Sequence, residues 1–397
     1  MARKYLGALA SAAEHVLTRA AGDARYSQRT SGLEASLPVS GSVAGAEYYA
    51  TDTKRIWSWG GSTWTVLHDP ATHFRNWIRN GNLTVWQRGG GAFTSGYAAD
   101  GFKLDRTGST ISTTRQSFTL GNQIPGVETP YYMRHVVTSS VGASNYAQFY
   151  PPIESVRTFA GQQVTWSFWA KADAARNICV EFYQHFGSGG SAGVGGIGSQ
   201  LIALTTSWTR HQVTVSIPSI AGKTIGTDGM DVLVPVIWMD AGSTYNTRAA
   251  SLGQQSGTFD FWGLQLEPGA TASAFRDAPV GDVVAECVRY FERLESPTAA
   301  YNVFGTGQCL STTVAAITVP FTPKRDRPTV TLAAAGNFVV TSANGTAITC
   351  SSVGYQFPTR SAVQIDCTVA SGLVAGNSTK LHANATTGAY IDISAEL

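Results

Sequence analysis

Aromatic rings set beside polar and charged side chains are the chemistry this sequence offers most freely. Trp86, Arg88, Tyr97, Asp100, Tyr183, His185, Trp208, Trp238 and Asp240 all fall in or next to segments that read as strands and loops. Sugars present flat C–H faces and rings of hydroxyls. Aromatic platforms flanked by Asp, Arg, Asn or His are natural receptors for them. These nine residues are the candidate ligand contacts, although Trp and Tyr in strands also fill cores, and each of the nine has that competing role.

Constellations that make or break bonds are missing. The sequence holds no G-x-S-x-G elbow and no H-E-x-x-H helix. Its seven histidines are scattered, and His68 and His73 lack metal-ligand spacing on a helix. Glu154, Glu181, Asp228, Asp231, Asp240 and Asp260 are the carboxylates from which a glycosidase pair would be drawn, but nothing in the sequence brings two together. The run Gly187–Gly198, GSGGSAGVGGIG, superficially matches dinucleotide fingerprints. A phosphate loop needs a helix behind it, whereas Gln200–Thr206 reads as a strand, so the run is taken as a mobile loop between strands. Four Asn-x-Ser/Thr sequons, at Asn82, Asn344, Asn377 and Asn384, carry no weight without a secretory leader. Asp260 and Glu267 would be the oxygen ligands of any structural calcium, but no metal and no cofactor is assigned. Five dispersed cysteines without a CxxC pair exclude a zinc ribbon or a thioredoxin-type site. Buried free thiols are the plain reading, with a Cys350–Cys367 bridge left open.

Composition says what must position these residues. The 397-residue chain is long enough for two or three domains, and 43% hydrophobic residues suffice for a core. Charged residues make up 14%, against roughly 25% in ordinary soluble domains. A net charge of +2 lacks the basic excess of a nucleic-acid binder. With 42 glycines and 11% aromatics, the composition favours a mainly β protein with weakly charged surfaces. No run of about 18 apolar residues predicts a membrane span, and Met1–Gly22 lacks the unbroken apolar stretch of an export signal. Synthesis in a reducing cytoplasm is expected.

Five segments follow. In 1–45, Leu6, Leu9, Ala13, Val16, Leu17 and Ala20 give residues 3–20 one apolar helical face, and a Ser/Gly/Pro-bearing linker runs from Gly22 to Ser42. Such a helix is marginal alone, so it is expected to pack on another chain or protein, or on its own domain. In 46–75, two or three short aromatic strands form a small hairpin module, whose Trp57, Trp59 and Trp64 are expected to pack on sister chains or a neighbouring module. Leu6, Leu9, Ala13, Leu17 and these three Trp residues are the expected attachment and oligomer contacts. In 76–280, alternating segments at 110–120, 131–138, 163–170, 178–186, 209–217, 231–239 and 258–266 predict a jelly-roll β-sandwich. In 281–296, the stripe of Val283, Val284, Cys287, Val288, Phe291 and Leu294 predicts a linker helix over 282–294, ended by Pro297. In 297–397, short Thr/Val/Ala/Gly strands predict a C-terminal β-sandwich.

Several stretches together carry a resemblance. NGNLTVWQR at 80–88 leads through YAADGF at 97–102 and FWAKAD at 168–173 to DFWGLQLEPGATASAF at 260–275, then AECVRYFE at 285–292. In this order they resemble the jelly-roll module of bacteriophage and prophage tail fibre proteins, a sandwich similar to carbohydrate-binding modules. The hairpin at 48–67 resembles the aromatic hairpin near the shaft end of phage fibres, and IDISAEL at 391–397 is similar to their closing strand. The resemblance implies a virion component made in the host cytoplasm, commonly a homotrimer. It would attach to other tail or baseplate proteins through its N-terminus and bind host surface polysaccharide or lipopolysaccharide through distal β-domains. It does not imply an enzyme, a nucleic-acid partner or membrane insertion. The alternatives are a depolymerase or esterase tailspike, and a structural fibre or baseplate connector that binds no receptor.

Overall fold

The computed structural model describes residues 29–41, 44, 46–51, 56–68, 76–121, 124, 127–342 and 344–397. The N-terminal helix expected over 3–20, with Leu6, Leu9, Ala13 and Leu17, lies outside them. The chain divides into two compact units, Met1–Arg75 and Asn76–Leu397.

In the first unit, β1 (Arg29–Gly32), β2 (Glu47–Ala50), β3 (Ile56–Trp59) and β4 (Trp64–His68) form one sheet in that order. The segment expected as an aromatic hairpin module supplies β2, β3 and β4. The preceding stretch, expected as linker through Ser42, instead contributes β1, paired parallel to β2. Aromatic side chains tie that stretch down. The Tyr48 hydroxyl donates to Leu33 O (2.9 Å) and Trp64 Nε1 to Pro38 O (2.7 Å). Gly41 lies so close to Trp59 that a Cβ there would come within 2.4 Å of the indole.

The second unit begins with a β-sandwich. Its strands are β5 (Gly96–Tyr97), β6 (Lys103–Thr107), β7 (Thr110–Ser117), β8 (Tyr131–Thr138), β9 (Tyr146–Tyr150), β10 (Ile153–Glu154), β11 (Gln163–Ala172), β12 (Arg176–Phe186), β13 (Val194–Leu204), β14 (Thr209–Ser216), β15 (Asp231–Ala241) and β16 (Gly257–Pro268). One sheet runs β13-β12-β15-β9-β6-β5, with β10 also on β15. The other runs β14-β11-β16-β8-β7. Alternation along each strand sends one set of side chains inward. Phe149 of β9 stacks on His135 of β8 (ring centroids 4.4 Å apart) and meets Phe261 of β16 (4.8 Å), while Trp166 of β11 meets Phe182 of β12 (5.8 Å). A proline inside a central strand removes a ladder donor. Pro235 is accommodated because β15 pairs with β10 at 232–233 and with β9 only from Ile237 onward, which leaves Pro235 at the gap.

Two expectations need correction. The glycine-rich run is not wholly a loop: β13 starts at Val194, inside it, and pairs with β12. The helix predicted over 282–294 stops early. Helix α1 spans Val280–Val288, and residues Phe291–Glu295 form β17 instead. The apolar stripe is real as far as Val283 and Cys287, which pack on Val85. Beyond that point tertiary pairing outweighs helical periodicity. β17 lies antiparallel to β26 (Tyr390–Ser394), with Arg293 paired to Asp392 at 2.6 Å.

The remaining strands are β18 (Val303–Cys309), β19 (Val314–Pro320), β20 (Thr329–Leu332), β21 (Phe338–Thr341), β22 (Ala347–Thr349), β23 (Ser352–Gln356), β24 (Ala362–Thr368) and β25 (Ser378–Ala383). They build a seven-stranded sheet, β22-β21-β25-β18-β19-β24-β23, and with β17 and β26 a three-stranded one, β17-β26-β20. A second core, including Ile317, Phe338, Leu381 and Ile391, is shared between them. The protein is mainly β, as composition and alternation indicate. All five cysteines are buried free thiols, so no Cys350–Cys367 bridge is formed. Among the described residues no helix is long and apolar enough to cross a membrane.

Candidate functional site

On the side of the β12-β15-β9-β6 sheet away from the main core, strand registers place alternate residues in rows. Lys103 lies opposite Tyr150 and Asp105 opposite Gln148; Tyr183 lies opposite Val234 and His185 opposite Val232. Together with Arg248, Met230, Pro152, Val236 and Leu397 these residues line a groove of about 310 Å³. That is the lower end of ligand-pocket volumes, ~300–1,000 Å³. The valines of β15 supply an apolar floor, and Tyr150, Tyr183 and His185 supply ring surfaces.

The polar groups are held from below. Asp105 Oδ2 accepts from the Tyr146 hydroxyl (3.0 Å) and from Gln148 Nε2 (3.2 Å). Gln148 is 7% exposed, and its Oε1 is buried without a hydrogen-bond partner. The Tyr97 hydroxyl donates to Leu397 O (2.5 Å), which Lys103 Nζ also approaches (3.4 Å). Burial pushes the Tyr97 and Tyr150 phenols upward and the Tyr146 phenol up to about 12, so all three remain donors at neutral pH.

Arg248 forms one wall, its guanidinium 4.9 Å from the Tyr183 ring centre and 5.2 Å from that of Trp238. It is oriented by Glu181, a fully buried carboxylate that also accepts from Trp238 Nε1 (3.0 Å) and from the Gly196 amide. The glycine-rich strand is what lets β13 pass this close. A Cβ at Gly193 would stand 1.9 Å from the Tyr183 hydroxyl, and one at Gly195 2.6 Å from Arg248 Nε.

Of the nine candidate contacts, Tyr183 and His185 line the groove. Tyr97 reaches its edge through Leu397, and Trp238 lies beneath Arg248. The others are elsewhere. Trp86 is in the sandwich core, with Nε1 donating to Leu83 O (2.7 Å). Arg88 pairs with Glu396 and lies 3.4 Å over the Phe291 ring. Asp100 is buried, accepts from Gln87 N (2.8 Å) and Nε2 (2.7 Å), and is pushed up to about 6 by that burial. Asp240 is buried under Ser109, Ser139 and the Gln255 amide. Trp208 packs on Phe118 and Tyr132, with Lys171 Nζ 5.2 Å from its ring centre. In the first unit, Trp57 and Trp59 lie on β3 and Trp64 on β4, and the Trp59 and Trp64 rings are 5.4 Å apart.

Lys103, Asp105, Gln148, Tyr150 and Arg248 were not among the sequence candidates. The signal for the first four was polar or aromatic residues at i, i+2 on β6 and β9, facing the same way as Tyr183 and His185, whereas Arg248 lies in the turn between β15 and β16 and had none. Of the other carboxylates considered for hydrolysis, Glu154 is bound by Arg289 and Tyr290, Asp228 by the Ser188 and Met230 amides, and Asp231 by Ser155 and Val156. Asp260 is paired with Arg134 and Lys171, and Glu267 accepts from Gln265 and Ser273, which commits the oxygens considered for calcium. Among the described residues no group of three or more His, Cys, Asp or Glu is gathered to hold a metal ion.

No protein-family profile and no curated protein matches the chain. Among solved structures, a CBM4 module is similar at 17% identity and TM-score 0.29, over 48% of this chain and 99% of its own. A family 11 carbohydrate-binding module from Clostridium thermocellum, in complex with a β-1,3-1,4-mixed-linked tetrasaccharide, is similar at 11% identity and TM-score 0.29, over 47% and 98%. The enzymatically active domain of tailspike protein 4 from bacteriophage CBA120 is similar at 13% identity and TM-score 0.27. That match covers 49% of this chain and 21% of the tailspike chain.

Proposed function

We propose that the protein is a non-catalytic saccharide-binding protein, and that it serves as a receptor-binding component of a phage tail fibre. The observation that carries the binding reading is the groove beside β12 and β9, where ring faces and an apolar floor stand next to Asp105, Lys103 and Arg248. A sugar ring would lay its C–H face on Tyr183 and the valines. One hydroxyl would donate to Asp105, which Tyr146 and Gln148 Nε2 hold in place. Others would accept from Lys103 and Arg248. Binding without turnover fits a lining with one side-chain carboxylate, Asp105, since hydrolysis by the common routes needs two flanking the bond.

The phage assignment is supported by the ordered sequence resemblance from residue 80 to residue 292 and by the aromatic hairpin before it. Single sugar sites bind weakly, and a homotrimer attached through its N-terminal segment would gain ~10²–10⁴-fold by avidity. The test is adsorption. Purified full-length protein should bind cells carrying the receptor polysaccharide and block phage adsorption to them, and should release no oligosaccharide or acetate from that polysaccharide. Product release would favour the tailspike-enzyme reading, and failure to bind any cell or compete with phage would favour a structural connector.

A further inference from the structure

The C-terminal sandwich carries a second, larger concavity of about 1070 Å³ on the β21-β25-β18 face of its seven-stranded sheet. Ser378, Lys380 and His382 occupy alternate positions of β25 and line it, while Leu381 and Ala383, between and beyond them, are buried in the core. Thr306 of β18 lies opposite Lys380 in register. Unlike the first groove it has no apolar floor and no carboxylate in its lining, and Lys380 is the one Lys or Arg there.

The hydrogen bonds fix what it offers. His382 Nδ1 is 3.2 Å from Tyr301 O, which can only accept, so that nitrogen carries the proton. Nε2 pairs with the Thr341 hydroxyl at 2.9 Å, and Thr341 Oγ1 keeps a lone pair for a further donor. A row of Ser and Thr hydroxyls and the Asn377 amide accompany one ammonium, with no side-chain anion in the trough to compete for it.

We infer that this trough is a second saccharide site, distinct from the groove in the first sandwich, and that it takes acidic sugars. The Lys380 ammonium would pair with a sugar carboxylate while Thr306, Thr341 and Asn377 hydrogen-bond the hydroxyls. The inference stands on its own geometry and does not need the first groove to bind anything.

Titration calorimetry of the full chain with tetragalacturonate and with oligosialic acid tests it, with cellotetraose and oligoglutamate as controls. At least one acidic oligosaccharide should bind, more weakly as salt rises. Lys380→Ala should weaken that binding roughly tenfold and Lys380→Glu should abolish it, with the melting temperature unchanged in both. Thr306→Val should weaken it without altering the salt dependence. Tyr183→Ala, in the other groove, should leave it intact. Absence of binding by both acidic oligosaccharides, equal binding of oligoglutamate, or insensitivity to Lys380→Glu would overturn the inference.

Discussion

Glu181 shows how one buried side chain shapes the proposed site without facing a ligand. Its carboxylate joins Arg248, Trp238 and Gly196, so the wall, the ring beneath it and the neighbouring strand share one anchor. Glu181→Gln keeps the shape but removes the charge that holds the Arg248 guanidinium. Saccharide affinity is expected to fall about tenfold, with stability lowered by ~1–3 kcal/mol, as read by calorimetry and urea unfolding. His135 sets a pH dependence. Burial between Phe149 and Phe261 pushes its imidazole down to about 3, and Nε2 has no hydrogen-bond partner. An imidazole held below its unfolded value of ~6.5 contributes stability that is complete above pH 6.5 and declines as pH falls toward 3. His135→Phe should flatten that part of the wild-type profile between pH 4 and 7, and an unchanged slope would contradict the assignment. Tyr183 and His185 were legible in the sequence because β12 alternates clearly. Asp105 and Gln148 were not, because the registers of β6 and β9 that bring them beside β12 depend on pairings far apart in the chain.

At the scale of elements, the long alternating strands of the first sandwich were legible, since a period of two survives any register. The end of α1 was not. Residues 282–294 fit a helical stripe throughout, and only the presence of β26, about a hundred residues later, makes 291–295 a strand. The opening of the chain shows the same limit, because 29–32 reads as linker until Tyr48 and Trp64 are seen to hold its neighbours. Close strand packing gives a sharp prediction. A Cβ at Gly307 of β18 would stand 1.8 Å from Ala316 O, a backbone atom of β19 that cannot rotate away. Gly307→Ala is expected to destabilise the C-terminal sandwich by ~2 kcal/mol or more, within the range of overpacking costs, and denaturant unfolding reads it directly. Near-wild-type stability would show that β18 and β19 separate more easily than this packing implies.

Across the whole second unit, the two sandwiches meet at a charged seam. Arg79 and Arg88 both pair with Glu396 (3.0 and 3.2 Å), while Arg325 donates to Ala395 O (2.6 Å), Glu396 O (3.2 Å) and Gly229 O (3.0 Å). Breaking a buried ion pair leaves its partners uncompensated, at ~3–5 kcal/mol. Glu396→Gln should therefore lower the calorimetric melting temperature by several degrees, and an unchanged midpoint would mean the seam adds little. The same seam sets Leu397 at the edge of the first groove, so the C-terminal residues contribute to both sandwiches. The most direct test of saccharide binding is the affinity of the full-length protein for the tightest ligand in a panel of bacterial surface polysaccharides, compared with Tyr183→Ala and Gln148→Leu. Both variants should melt within a few degrees of wild type and lose affinity, Tyr183→Ala at least tenfold because its ring lines the groove, and Gln148→Leu by less because it acts by holding Asp105. Binding that survives both substitutions unchanged would contradict the assignment of that groove.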